Sequence, residues 1–429
     1  MSAGYLDTRK TRTRFDVKRH RLSLHMMWLA LLVLAGPAHA VQHLIQPGAR
    51  WDMEPGELRA GDEILLMPGQ HRPATIEAAI GSATGPITIK SMDASRPAQI
   101  EATRNGIHLL RCRNVVIENV IIISPRQYGV RIDDGDDQSV PPWLSDNPSG
   151  GHKLRHVMIV RTGTESRHHA VMIQAQDGVS IQQCAFQGWG GSAVWVAHSK
   201  DVVIEQCQLR RLQGFNHEFG IYVCGASEDV RIARNYMDDP GKYAVKVGDR
   251  FRADEFGTIN LAKAEKGSLF DARRVVIEHN VIAGTECAIS LSHVERCHVR
   301  SNTLVSPRQI AFSLMHNHVD RRFGGHSRNT LANNLIVSEY APAPRAVVVL
   351  KPLTREQVTL GVNVWWSPDM ETWRPTLETI PVDDSAVQLV TIDPSLDHTF
   401  RPRHEDVMMF GAQTDDIPIP AAKTAKGSP

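Results

Sequence analysis

The chain has 429 residues, 42% of them hydrophobic, with 48 basic and 47 acidic side chains and a net charge of +1. Such apolar content can bury a large core, and the balanced charge excludes the basic footprint of a nucleic-acid-binding protein. The six cysteines show no Cys/His spacing of the zinc-binding kind.

Residues 1–25 are basic and unpatterned, and the apolar run Leu29–Ala35 and the small-x-small triplet Ala38-His-Ala40 follow them. This order reads as a secretory signal peptide cleaved after Ala40, with Met26 as an alternative start. The run is too short to span a bilayer, so the expectation is an exported protein, periplasmic or secreted, with no membrane span after cleavage. Cleavage would remove seven basic and two acidic side chains, leaving 41 against 45 and a net charge of −4.

Residues 41–110 read as the start of a solenoid and its N-terminal cap, because Leu58–Gly69 and Gly85–Lys90 are short strands punctuated by Gly and Pro. Two patterns then repeat together every 22–24 residues, apart from insertions. In one, an apolar-rich run ends at Val120, Thr162, Cys184, Cys207, Asn235, Asn280, Asn302 and Asn334. In the other, a small residue is followed by apolar, any, apolar, in eight segments beginning at Gly129, Ala170, Ala193, Gly220, Ala244, Ala288, Ala311 and Ala346. Alternation means strand, and short strands repeating without a helical segment between them predict an all-β fold. The specific expectation is a right-handed parallel β-helix over residues 41–351, a solenoid capped at both ends. Residues 352–415 lose the repeat and are expected to cap the C-terminal end, with Trp365, Trp366 and Trp373 packing there. Residues 416–429 read as a disordered tail.

An Asn at the bend tolerates a left-handed backbone, and identical residues stacked coil on coil form an internal ladder. Cys184 and Cys207 share that position in successive coils. A coil spacing of about 4.8 Å allows a disulfide between them, and an inward stack of free thiols is the alternative. Three insertions, Asp133–Gly151, Asp249–Arg273 and His316–Arg328, leave from the corner after the second strand. Long loops on one edge would wall a groove along one sheet, which suits an extended ligand.

Alternation turns the residue two positions after each small residue outward. That column reads Arg131, Met172, Trp195, Tyr222, Lys246, Ser290, Ser313, Val348. Five positions after the small residue stand Asp134, Ala175, His198, Gly225, Asp249, His293, His316 and Lys351. Tyr222, Lys246 and a His198/His293 pair are expected to cluster near the middle of the stack, with Arg250 following.

Over residues 45–412 the chain resembles the pectate-lyase-like superfamily of right-handed β-helix proteins. The resemblance rests on the opening Gly61-Asp62, Pro68-Gly69 and Gly85-Pro-Ile-Thr-Ile89, and on the closing Asp393-Pro394, Phe400-Arg-Pro402 and Gly411. It implies a polysaccharide lyase, glycoside hydrolase, epimerase or esterase, or one of the members without known activity. The paired-aspartate motifs of the polygalacturonase-type hydrolases do not occur here as a set. Tyr243-Ala-Val-Lys246-Val-Gly248 is similar to the Phe-Lys-Leu-Gly segment of a family whose base is a lysine. Asp133-Asp134-Gly135 resembles that family's calcium motif, and the acidic run through Asp136 and Asp137 clusters the oxygens that a hard cation wants. Ca²⁺ on Asp133, Asp134 and Asp136 is therefore one expectation, and a solvated acidic loop is the other.

The outward constellation suits β-elimination from a uronate sugar, which needs a cation for the carboxylate, a base for the C5 proton and an acid for the leaving oxygen. Lys246 could be the base if Arg250 and burial lower its pKa. Alternatively Tyr222 or His293 takes the proton while Lys246 and Arg250 bind the carboxylate. Trp195 would offer a stacking face, and Arg131, His198, Asp249 and His316 would line the substrate. A solvated lysine, sheet-covering aromatics and ordinary surface histidines are the plain alternatives. The expected function is cleavage or C5 epimerisation of an acidic polysaccharide by an exported monomer. A non-catalytic β-helix that binds glycans or builds the cell envelope is the rival.

Overall fold

The computed structural model describes residues 40–135, 149–248, 269–315, 324–339, 345–349, 354, 356–368, 387–389 and 393–419. The expected signal peptide, Asp136, Asp249, Arg250, His316 and Trp373 lie outside the described residues. Within them the chain forms three parallel sheets of 14, 10 and 12 strands, here A, B and C. Each coil visits them in the order A, C, B. Val115–Glu118, Val120–Ile123 and Tyr128–Asp133 make one turn, and Lys153–Arg155, Met158–Val160 and His169–Gln174 make the next. Every strand pairs with its counterparts in neighbouring coils, giving a parallel β-helix.

Sheet B has ten strands rather than eight, because Ala74–Glu77 and Asn105–Leu110 add two coils at its N-terminal end. At the other end sheets A and C continue past residue 351 through Val358–Leu360 and Asn363–Trp366. Trp365 is buried there and meets the Phe312 ring edge-on at 5.9 Å, so it fills the interior of a late coil.

The corner between A and C turns on one left-handed residue. Gln206, Arg234, His279, Ser301 and Asn333 occupy it with φ of 53–56°. The ladder asparagines follow this left-handed residue instead of supplying it. Asn235, Asn280, Asn302 and Asn334 each donate from Nδ2 to the Oδ1 of the next rung, ending at Asn363, over 2.8–3.0 Å. Each accepting Oδ1 also takes the backbone N–H of the preceding asparagine. In the coil before Cys184 the corner is His156, φ 51°, and Val157 rather than Thr162 holds the ladder position, because Met158 pairs with Ala185.

Cys184 and Cys207 continue the stack as free thiols, so no disulfide joins them. Each sulfur donates to a backbone carbonyl two residues back, Gln182 and Glu205, as Asn280 Nδ2 does to Glu278. Burial pushes the Cys207 thiol well above its ordinary pKa.

Sheet B contributes the inward column Val130, Val171, Val194, Ile221, Val245, Ile289 and Phe312, all fully buried. Burying such a side chain contributes about 1.5–3 kcal/mol. The start of the expected tail is also packed. Ile417 is buried with Val281 and Ala412, Tyr236 lies against the same cluster, and Gln208 Nε2 donates to the Pro418 carbonyl at 2.6 Å. The Pro/Ala/Lys-rich composition hides these apolar anchors, Ile417 and the partly buried Ile419.

Candidate functional site

Parallel in-register pairing turns the outward column of sheet B into a physical row. Arg131 faces Met172, Met172 faces Trp195, Trp195 faces Tyr222, Tyr222 faces Lys246, and Lys246 faces Ser290. Ser313 and Val348 follow in register, and His108 precedes Arg131. Met172, Ser290 and Ser313 are buried, so from His108 to Lys246 the accessible positions of the row are His108, Arg131, Trp195, Tyr222 and Lys246.

Lys246 stands inside a cage of three rings. Its Nζ lies 5.0 Å from the Phe219 centroid, 5.3 Å from Tyr243 and 5.4 Å from Tyr222. Phe219 pairs with Tyr243 in register and stacks on it at 5.7 Å, and it stacks on Tyr222 at 4.7 Å. Ring faces carry negative quadrupole density and attract an ammonium. The cage suits a fixed cation that meets a carboxylate better than the proton acceptor expected of Lys246.

A second aromatic run leads away from the cage. Trp195 stacks on His169 at 5.5 Å with 6° between the rings, and His169 stacks on Tyr128 at 5.9 Å. Burial pushes the His169 imidazole down to about 3, so it is neutral. Trp195 is therefore one leaf of a stack, with one face already covered by His169.

Asp133 is buried rather than poised for a cation. It accepts from Arg131 Nε, from His108 Nε2 at 3.2 Å and from the Gly135 N–H at 2.9 Å. Burial by itself would raise its carboxyl, yet the hydrogen bond and charge of His108 and the Arg131 guanidinium hold it below the ordinary value. With those donors around it, Asp133 does not fit the expected calcium role. Among the described residues no three His, Cys, Asp or Glu side chains gather into a ligand set.

The expected histidine pair does not form. His198 and His293 lie three coils apart, about 14 Å at the parallel-strand spacing. Both are buried in left-handed bends of φ 50° and 54° that lead from sheet B towards sheet A. The His198 ring packs over Gly225, where a Cβ would come within 3.0 Å of its Cε1. His293 Nδ1 lies 3.0 Å from Ser292 Oγ.

His108, Phe219 and Tyr243 join the site without having been expected there. His108 carries a visible signal, since Gly106-Ile-His-Leu109 repeats the small-apolar-any-apolar pattern one coil earlier. Phe219 and Tyr243 precede their small residues, where strict alternation would turn them inward. The structure leaves Phe219 mostly buried and Tyr243 half-buried against Lys246.

Among the described residues no helix is long and apolar enough to cross a membrane. Residues 88–250 and 162–338 match the family described as right handed beta helix region. No curated protein matches the chain. Among solved structures it is similar to a rhamnogalacturonan lyase, with TM-score 0.54, 12% identity, and 76% of this chain and 87% of that one covered. It is also similar to the PL6 family polysaccharide lyase Pedsa3628 from Pseudopedobacter saltans, with TM-score 0.50, 12% identity, and 88% and 99% covered. The chain spans 57% and 60% of the length of the PL6 family alginate lyase AlyGC in two structures, at TM-scores 0.41 and 0.40 and identities of 14% and 13%. Identities this low carry the fold alone. The family matches run from residue 88 to 338, over half the chain, and coincide with coils whose every sheet is parallel: the chain belongs to the right-handed β-helix family.

Proposed function

We propose that this protein acts on an acidic, uronate-containing polysaccharide laid along sheet B, cleaving or epimerising it through removal of the C5 proton. The observation behind this reading is the row Trp195, Tyr222, Lys246 in consecutive coils, with the ammonium caged by three rings. A uronate sugar presents an apolar C–H face and a carboxylate, and the row offers aromatic faces and a cation in the matching order. Neutralising the carboxylate makes the adjacent C5–H bond more acidic. When a base takes that proton, two outcomes are open. The electron pair can form a C4–C5 double bond as the C4–O bond breaks and the leaving oxygen takes a proton, or C5 can be reprotonated from the opposite face. The signal-like N-terminal segment fits a substrate met outside the cytoplasm.

The test is to incubate the purified protein with pectate, rhamnogalacturonan, alginate and glycosaminoglycans in D₂O, with and without Ca²⁺. Ultraviolet absorbance reports unsaturated ends, and NMR reports deuterium at C5. Absorbance with C5 of the new end left without hydrogen or deuterium means a lyase, and deuterium at an inverted C5 without absorbance means an epimerase. Neither signal on any polymer would refute the reaction. A second reading, a non-catalytic glycan-binding β-helix, draws support from the burial of His198 and His293, which removes both expected imidazoles from the face. Binding of these polymers without either signal would select it.

A further inference from the structure

The most completely built acid–base pair on sheet B lies at the far end of the row from Lys246. His108 stands opposite Arg131 of the next coil, and its Nε2 lies 3.3 and 3.2 Å from the two oxygens of Asp133. A carboxylate only accepts, so Nε2 carries a proton, and whenever the ring is neutral Nδ1 is the nitrogen that holds the lone pair. Among the described residues no hydrogen bond engages Nδ1. The His108 side chain is 15% exposed, against 2% for Asp133. That combination is a reachable base held by a buried orienting carboxylate, which also stabilises the imidazolium that forms on proton uptake.

The surroundings favour an anion. The Arg131 guanidinium lies 5.6 Å over the Tyr128 ring, and the charges of Arg104 and Arg167 also act on Tyr128. Among the described residues only Nε of Arg131 binds Asp133, and its terminal N–H groups face no acceptor there.

We infer that His108 is the general base of this protein, oriented by Asp133, and that the reacting uronate sets its carboxylate against Arg131 beside Tyr128. Lys246, five coils along the row and about 24 Å away, then anchors a more distant sugar of the same polymer. This inference rests on the reading that an acidic polysaccharide lies along sheet B. In the step, the C5–H bond breaks and its proton goes to His108 Nδ1. The electron pair either forms the C4–C5 double bond as C4–O breaks, the leaving oxygen taking the proton from the imidazolium, or waits for reprotonation at C5. No oxidant, reductant or cofactor is consumed.

The test compares wild type with His108→Gln, His108→Asn, Asp133→Asn and Lys246→Met, all in the full-length protein. C5 deuterium exchange and elimination are measured on the polymer that wild type turns over. Binding of an oligouronate is measured by calorimetry, and His108 is watched through its ¹⁵N imidazole signals. Both His108 variants should lose the reaction, elimination or C5 exchange, by about 10²–10⁴-fold while retaining oligouronate affinity within about threefold. Asp133→Asn, a positioning change, should move the acid limb of the pH–rate profile to lower pH. Lys246→Met should raise KM about tenfold and leave kcat nearly unchanged, and the oligouronate should shift the His108 Nδ1 signal. Retained elimination or exchange in both His108 variants, or its abolition in Lys246→Met, would overturn the assignment while leaving the proposed function intact. An inactive wild type refutes the reaction itself, and an unmoved Nδ1 signal refutes docking at His108.

Discussion

The ammonium of Lys246 lies 5.0 Å from the centre of the Phe219 ring, which belongs to the preceding coil. Neither the lysine nor the phenylalanine suggests this contact alone. It exists because Phe219 and Tyr243 pair in register, as do Tyr222 and Lys246, closing three rings around one charge.

The cage should contribute to affinity ring by ring. Tyr222→Leu and Tyr243→Leu should each weaken oligouronate binding by roughly 0.5–2 kcal/mol, or about 2- to 30-fold. Tyr222→Phe should keep binding, because the ring face is retained. Calorimetry on the four proteins checks this, and a Tyr222→Phe loss as large as that of Tyr222→Leu would shift the credit from the ring to the hydroxyl.

The asparagine ladder should be the most sensitive polar feature of the core. Asn302→Ala strands the backbone N–H of Asn280, which donates to Asn302 Oδ1 at 3.0 Å, and removes the Asn302 Nδ2 that donates to the Ile277 carbonyl and to Asn334 Oδ1, while Asn280 Nδ2 keeps the Ile232 and Glu278 carbonyls. Leaving a buried donor unmet costs about 1–3 kcal/mol and each lost bond adds to it, so a loss of about 3 kcal/mol is expected by urea unfolding. Cys207→Ala, which removes only weak thiol bonds and a small apolar volume, should cost clearly less. Equal losses would argue that packing rather than hydrogen bonding supports the ladder.

Stability should fall on mild acidification. Burial drives His152 down to about 4, with Nδ1 accepting from the Val115 N–H and Nε2 donating to the Cys112 carbonyl. Once unfolded it takes up its proton at the ordinary 6.5, so below that pH the unfolded chain binds more protons than the folded one. The contribution is complete above about pH 6.5 and is lost as pH falls through about 4, on the order of 3 kcal/mol. His169, at about 3, acts in the same direction. Urea midpoints across that range should drop, and the His152 ring signals should not titrate above pH 5. A midpoint independent of pH would contradict this.

Gly248 should be irreplaceable. It sits at φ +73°, and a Cβ there would lie 1.8 Å from the Ser292 carbonyl oxygen of the next coil. Gly248→Ala combines left-handed strain with a backbone clash, and a loss on the order of 3 kcal/mol is expected in thermal unfolding. Lys246 is two residues upstream, so oligouronate affinity should fall as well. Gly214→Ala is the control, since φ is +87° there but nothing lies within 4 Å. It should cost about 1–2 kcal/mol, and similar losses at both positions would show that φ alone matters.

Much of the fold was legible because its cause is local and repeated. Val130, Val171 and Val194 alternate with Arg131, Met172 and Trp195, and a period of two can only send them to opposite faces of a strand. The outward row therefore followed from the repeat, residue by residue. The ends were harder to read, because Gly106-Ile-His-Leu109 and Val358–Leu360 keep the strand pattern where the second repeat signal has faded.

The sequence alone thus determined the solenoid, its inward aliphatic columns and the order of side chains along sheet B, since strand alternation and coil repetition are properties of neighbours in the chain. Only the tertiary structure decided which of those side chains meet. Bends that turn on one left-handed residue point Asn280 inward and bury His198 and His293, and register sets Phe219 and Tyr243 against Lys246. The same stacking brings His108, one coil away, onto Asp133. Such contacts join residues some 20 or more positions apart, and their geometry depends on the corner between sheets, which no pattern within a single strand encodes.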